Sequence, residues 1–243
     1  MHVRFIDSHL HLTEYDDLTS IVGCARSSET LLLTTSLDKK TSLRNLELGT
    51  EFPDVVRPFV GIHPSEASRE EGIGWIEGSL WLGCGVGETG LDPRYSEVSE
   101  SSAQMRIFSS QLELAEKAGK PVQVHSRGAE EACLEKLSSY HLRRVLLHWF
   151  EGESLSSSAA SRGYYASFGP AILQSKKVAR IAASYPEDLV LTESDGPVAF
   201  SALRGACGPS LIPSVVFCLA ELRKKQFAET ARGLVLNGSA YLG

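Results

Sequence analysis

Eight short β-rich apolar runs, helically spaced stretches between them, and polar residues gathered just after several runs predict an α/β fold, a (β/α)8 (TIM) barrel in a single domain over residues 1–243. The runs occupy residues 3–6, 30–35, 55–60, 80–86, 122–124, 145–147, 164–168 and 189–191. Strict alternation of strand and helix implies right-handed crossovers and a parallel sheet, and eight such units need about 250 residues. An open doubly wound sheet is the main alternative. It is weakened because no G-x-G-x-x-G turn follows the first run, and Cys84-Gly85-Val86-Gly87 instead precedes Glu88 within a strand pattern.

The clearest helix spans residues 101–118, where Met105, Phe108, Leu112 and Ala115 fall on one face at steps of three and four, with Gly119 and Pro121 ending it. Further helices are expected over 18–25, 41–50, 66–76, 130–137, 154–162, 176–184 and 213–225. The serine-rich stretch 154–158 continues into an apolar helical pattern, so it reads as a helix start and not as a linker.

With 42% hydrophobic residues the chain can bury one large core. Its 24 basic and 30 acidic residues give a net charge of −6, so it lacks the overall basic footprint of non-specific nucleic-acid binders. The five cysteines are odd in number and scattered, with no C-x-x-C pair, which speaks against a disulfide framework or a zinc–cysteine site and fits a reducing, cytoplasmic setting. Arg4, Asp7 and His9 interrupt the N-terminal stretch, so no signal peptide is expected there. No run of about 18 apolar residues appears, and no membrane partner is expected.

The chemistry collects where strands end, which is the rim that carries the active sites of such barrels. The first run leads into Asp7-Ser8-His9-Leu10-His11, and period-two alternation puts Asp7, His9 and His11 on one side. Later runs lead into Gly61-Ile62-His63-Pro64, Gly87-Glu88-Thr89-Gly90-Leu91-Asp92, His125-Ser126-Arg127, His148-Trp149-Phe150 and Glu193-Ser194-Asp195-Gly196-Pro197. A lone histidine at a strand end is usually a satisfied hydrogen-bonding residue. Five of the seven histidines on one rim reverse that reading, and imidazole with carboxylate but no cysteine suits Zn²⁺, Mn²⁺ or similar ions in hydrolysis. His2 and His141 lie outside the pattern and receive no function.

At these residues the sequence resembles the TatD family of metal-dependent deoxyribonucleases, within the amidohydrolase-like barrels. The resemblance covers nearly the whole chain through DSHLH, GIHP, GETGLD, QMRIFSSQLELAEKAGKPVQVHSR, HWFEG, SFGP, ESDGP and the late Asn237. It implies two divalent ions (Zn, Mn or Mg), one held by His9, His11, Glu88 and Asp195 and the other by Glu88, His125 and His148, with Glu88 bridging. Asp195 would also orient the water that the pair activates, or take its proton.

His63 matches a family histidine expected to contact the scissile phosphate or protonate the leaving group; a structural role beside Pro64 is the alternative. Arg127 has two readings, a bidentate clamp on a phosphate or an ion pair with Glu193 or another rim carboxylate. Glu193 is expected behind the ligands, orienting His125 or Arg127. Asp7 reads as a supporting or structural group, and Asp92 as a rim acceptor or a loop cap.

Departures from the family pattern fall at Pro93 and nearby Tyr95, at Trp149, at the SDGP string around Asp195, and in an abbreviated loop containing Arg204, Gly205 and Gly208. Trp149, Tyr164 and Tyr165 either stack bases or pack the core, with packing the better expectation. The leading function is phosphodiester hydrolysis on DNA or a small phosphodiester. The same ions would also serve carboxylic or aminoacyl ester, lactone or amide hydrolysis. A metal- or nucleic-acid-binding barrel without catalysis is the third reading, which the intact ligand set disfavours.

Overall fold

Apolar runs too short to form stable hairpins alone find their partners in the next run along the chain. In the computed structural model, which describes residues 3–69, 72–95, 101–200 and 206–243, eight strands pair in parallel and in sequence order. They are β1 (Phe5–Leu10), β2 (Thr30–Thr34), β3 (Val56–Val60), β4 (Gly85–Gly90), β5 (Val122–His125), β6 (Val145–Leu147), β7 (Tyr165–Phe168) and β8 (Val190–Thr192). Around them lie α1 (Leu18–Ser27), α2 (Lys39–Glu51), α3 (Gly74–Ser79), α4 (Ser101–Ala118), α5 (Glu130–Leu137), α6 (Ser156–Ser161), α7 (Lys176–Ser184), α8 (Ile212–Arg223) and α9 (Phe227–Leu242). This is the expected (β/α)8 barrel, not an open sheet.

Among the described residues no regular ladder joins β8 to β1, and side-chain bonds together with single backbone bonds close the seam instead. Thr192 Oγ1 donates to Ile6 O (2.6 Å), Asp195 N to His9 O (3.0 Å), and Ser194 gives both its N–H (2.8 Å) and its hydroxyl (2.6 Å) to the Asp7 carboxyl. Burial pushes Asp7 up to about 8, so at neutral pH it is largely uncharged and can sit in the wall without an ionic partner. Asp7 is therefore a clasp of the barrel. The parallel register of β1 shifts between Asp7 and Leu10, which breaks the simple alternation expected from Asp7 to His11.

The N-terminal end of the barrel is plugged from α9. Tyr241 is fully buried, stacks on Phe59 (6.0 Å between centroids), meets Tyr165 edge-on (5.4 Å) and donates its hydroxyl to Val122 O (3.0 Å). Gly238 lets the helix come this close, since a Cβ there would fall 2.1 Å from Ile6 Cδ1. Asn237 donates to Glu187 O (2.7 Å) and Val190 O (2.8 Å), tying α9 to the start of β8.

On the opposite end, α4 fixes two loops through polar residues of its buried face. Gln111 receives Ile62 N (2.8 Å) and donates to Ile62 O (3.0 Å) and Thr89 Oγ1 (2.6 Å). Gln104 receives Asp92 N (3.0 Å) and donates to Asp92 O (2.9 Å). These bonds hold the segments bearing His63 and Asp92 to one rigid helix.

Three boundaries differ from expectation. The first strand runs on through Asp7, Ser8 and His9 to Leu10: every residue of it is buried, and Asp7 and His9 Nδ1 find partners in Ser194 and Gln123. The fourth begins at Gly85 and not at Leu80; Trp81 and Leu82, read as strand, are 89% and 76% exposed. The helix expected over 66–76 reduces to a 3-10 turn, Pro64–Glu66, and the short α3, with Gly72 between them and Gly74 at the start of α3 weakening helix propagation. The glycine-bearing loop with Arg204 and Gly205 lies outside the described residues, as does His2.

Candidate metal centre

Strand ends deliver the side chains. His9 lies in β1 with His11 just beyond it, Glu88 in β4, His125 at the end of β5, and His63, His148 and Asp195 just after β3, β6 and β8. All five histidines and Glu88 are buried, and the Asp195 side chain keeps 14% exposure. Asp195 adopts a left-handed backbone (φ 50°), which a non-glycine residue holds only when its surroundings impose it.

The two oxygens of Glu88 face different groups. Oε2 lies 3.4 Å from both His9 Nε2 and His11 Nε2, and Asp195 Oδ1 lies 3.7 and 3.5 Å from those same nitrogens. Oε1 lies 2.7 Å from His125 Nδ1, 2.8 Å from His148 Nε2 and 3.8 Å from His63 Nε2. Donor atoms of His9, His11 and Asp195 all fall within 4.8 Å of one another, as do those of His63, Glu88 and His125, and of His9, His148 and Glu193.

The first group fits a cation. His9 Nε2, Glu88 Oε2 and Asp195 Oδ1 are buried with no hydrogen-bond partner, a costly state for polar atoms unless something else satisfies them. Ligand atoms about 2.1 Å from a tetrahedral ion lie roughly 3.4 Å apart, close to the spacing here. Nitrogen and carboxylate oxygen without thiolate is the donor set of a hydrolytic divalent ion.

Neighbouring groups fix which ring nitrogen is left to face the centre. Gln123 Nε2 donates to Ser8 O (2.9 Å), so its oxygen accepts from His9 Nδ1 (2.9 Å) and Nε2 of His9 keeps its lone pair. His125 Nε2 pairs with Asp92 Oδ2 (2.8 Å), which turns Nδ1 toward Glu88. Asp92 also accepts Arg94 N (2.8 Å), so it fills both expected roles, acceptor and loop cap. Gln123 escaped the sequence reading, being one polar residue inside an apolar strand. Gln123→Leu is expected to weaken metal binding roughly 10- to 100-fold, read by chelator competition; unchanged affinity would mean the amide does not set the His9 tautomer.

Glu193 corrects an expectation. It contacts neither His125 nor Arg127; its oxygens accept Trp149 N (2.7 Å) and Ser167 Oγ (2.7 Å), and Oε2 lies 3.5 Å from His148 Nδ1. Strand order explains this, because β7 separates β8 from β6 and only a side chain reaching over Ser167 meets the β6 loop. Arg127 is exposed and forms no salt bridge with Glu193 or another rim carboxylate among the described residues, although its charge contributes to lowering Asp92. Tyr164 and Tyr165 are core residues, and Trp149 is half-buried with Nε1 donating to Glu151 (3.2 Å).

Charges in the centre are strongly coupled. Burial opposes ionisation of Glu88, yet His148, His9 and His63 outweigh it and hold the carboxyl well below its usual range. Burial also opposes charge on His148, His125 and His11, but the surrounding carboxylates raise all three, His148 furthest. Burial wins at His9, which is lowered, and at His63, which falls to about 3.

Side chains gathered on the C-terminal rim of a barrel, drawn from the ends of several strands and ending in imidazole and carboxylate, are the arrangement of a metal-dependent hydrolase. The chain belongs to the TatD family: the model of the TatD related DNases matches residues 6–243. It is 28% identical over 214 residues to the putative deoxyribonuclease tatdn3 of Danio rerio, covering 79% of this chain and 80% of that protein. It is 28% identical over 240 residues to the uncharacterized metal-dependent hydrolase YabD of Bacillus subtilis, covering 93% of each. The crystal structure of YJJV, a TatD homolog from Escherichia coli, superposes with a TM-score of 0.87 at 23% identity, covering 99% of this chain and 98% of that one, and so shares the fold.

Proposed function

We propose that this hydrolase is a deoxyribonuclease that cleaves phosphodiester bonds using two divalent ions. The observation that carries the reading is Glu88, whose two oxygens face two separate sets of ring nitrogens. His9, His11, Glu88 and Asp195 would hold one ion, and Glu88, His125 and His148 the other. Such a pair supplies Lewis acidity toward a phosphoryl oxygen, a lower pKa for water and charge to offset the leaving oxygen. Zn, Mn and Mg all remain in the proposal.

The chain's own groups divide the remaining work. Asp195 takes the proton of the attacking water. Ser65 N donates to His63 Nδ1 (3.1 Å), so the neutral ring carries its hydrogen on Nε2, toward Glu88. His63 therefore acts as a hydrogen-bond donor to a phosphate oxygen and not as a further ligand. Arg127, exposed and in no salt bridge among the described residues, clamps a phosphate oxygen from the rim. Five free cysteines support placement in the cytoplasm, and no helix of the described residues is long and apolar enough to cross a membrane.

The test is hydrolysis by metal-stripped protein reloaded with Mn²⁺, Mg²⁺ or Zn²⁺, on single-stranded DNA, a small phosphodiester and a carboxylic-ester panel. Metal-restored DNA cleavage is the expected result. Activity confined to carbonyl esters would keep the centre and overturn the substrate.

Binding should also release protons. His148, His125 and His11, with raised pKa values, stabilise the metal-free fold below their ordinary pKa and lose that contribution as pH rises through the raised values. Ligation needs them neutral, so the Tm gap between loaded and metal-free protein should widen from pH 5.5 to 8. His63, which burial lowers to about 3, adds nothing to this gap, and His9, lowered by burial, adds less than the three raised rings. A constant gap would count against histidine ligation.

A further inference from the structure

The rim of the barrel is not uniform. On the β5–β6 side, Glu130, Glu151 and Glu153 line an open cleft of about 560 Å³, and the cations there are engaged, Lys177 with Glu151 (2.7 Å) and Arg180 with Glu153 (2.8 Å). That side offers a polyanion no unengaged cation among the residues lining the cleft. On the β3–β4–β5 side stand the exposed Arg127 and an aromatic ring, Tyr95, that keeps 49% of its surface in solvent.

Tyr95 differs from the other tyrosines near the barrel. Tyr164, Tyr165, Tyr185 and Tyr241 are buried in the core, and part-buried Tyr15, beside Gly196, gives its hydroxyl to Cys207 O (2.6 Å). Tyr95 packs against the His63 ring at 73° with centroids 5.5 Å apart, and His63 in turn lies 4.7 Å from His125. A continuous row of rings thus leads from the candidate metal centre to an open aromatic surface. Among the described residues, Tyr95 N donates to Asp92 O (3.2 Å), and Pro93 sits against Gly128 in the loop that carries Arg127.

Resting on the deoxyribonuclease reading above, we propose that Tyr95 is a specificity-determining residue: its exposed ring stacks on the nucleobase next to the scissile phosphate, so the strand leaves the site over β4 and β5. Every base has a π-face, so this subsite favours nucleotides over bare phosphodiesters without selecting a sequence.

The experiment compares a short single-stranded deoxyoligonucleotide with a uniformly abasic analogue of the same length, using metal-loaded wild type, Tyr95→Phe and Tyr95→Ala. Wild type should prefer the base-bearing strand. Tyr95→Ala should lose roughly 5- to 100-fold in kcat/KM on it, mainly through KM, with a several-fold smaller loss on the abasic strand, while Tyr95→Phe keeps the preference. Equal losses on both strands would mean that the ring acts only through His63, and no loss on either would mean that it touches no base; both overturn the proposal. Wild type that cleaves neither strand after reloading overturns the deoxyribonuclease reading itself, and the subsite with it. Metal content, measured alongside, should match wild type in both variants, and loss of metal would reassign Tyr95 to supporting the centre.

Discussion

Glu88→Ala is expected to reduce metal-restored hydrolysis by about 10³-fold or more and to empty at least one metal site, measured as bound metal per chain. The residue is almost fully buried, and its two oxygens approach five imidazoles between them. Removing it leaves raised-pKa rings at His148 and His125 without their nearest anion, which favours their neutral forms but takes away the one group common to both sets. Transition-state charge stabilisation by a bound ion is worth several kcal/mol, and each ~1.4 kcal/mol is tenfold in rate, which sets the size of the loss. Glu88→Gln keeps the volume and one acceptor oxygen, so it should retain more metal than Glu88→Ala while remaining severely impaired. Two ions per chain in Glu88→Ala, with the fold intact by circular dichroism, would sink the bridging assignment.

What the sequence displayed depended on whether a residue's neighbours repeat its signal. α4, α5 and α7 stand where their three- and four-residue spacing put them, because an apolar stripe is a redundant pattern over many positions. β4 begins later than the apolar pattern predicts because its sequence, GVGETG, has little β propensity. Its glycines answer to tertiary crowding instead: a Cβ at Gly85 would fall 2.3 Å from Phe59 Cε1, and no local rule can anticipate that contact. α9 carries the same kind of signal, since Ala231, Leu234, Gly238 and Tyr241 bury one face at helical spacing. The histidines and carboxylates were legible as strand-end polar residues, and they converge. Their orienting partners were not, since Gln123 and the reach of Glu193 to Trp149 depend on which strands are neighbours and how far a side chain spans.

Gly90→Ala is expected to be among the most damaging small substitutions in the chain. Gly90 has φ +145°, a conformation L side chains rarely adopt, and an added Cβ would lie 1.9 Å from His125 O and 2.8 Å from His125 C. Neither backbone can withdraw freely, because Gly90 is paired with His125 across β4 and β5 and Leu91 N donates to that same carbonyl at 3.0 Å. Backbone strain of about 1–3 kcal/mol and overpacking of about 1–3 kcal/mol together cost roughly 2–6 kcal/mol, or a Tm drop of roughly 5–20 °C in a domain this size. The obstructing carbonyl belongs to a candidate ligand, so relief of the clash must displace His125 from Glu88 or open the ladder. Metal affinity should therefore fall along with stability. Gly23→Ala in α1 is the matched control: a Cβ there meets nothing within 4 Å, and the helix should gain up to about 1 kcal/mol. If Gly90→Ala proved as benign as Gly23→Ala, the β4–β5 register, and with it the placement of His125 against Glu88, would have to be wrong. If it lowered Tm but left metal affinity untouched, His125 would be part of the wall and not of the centre.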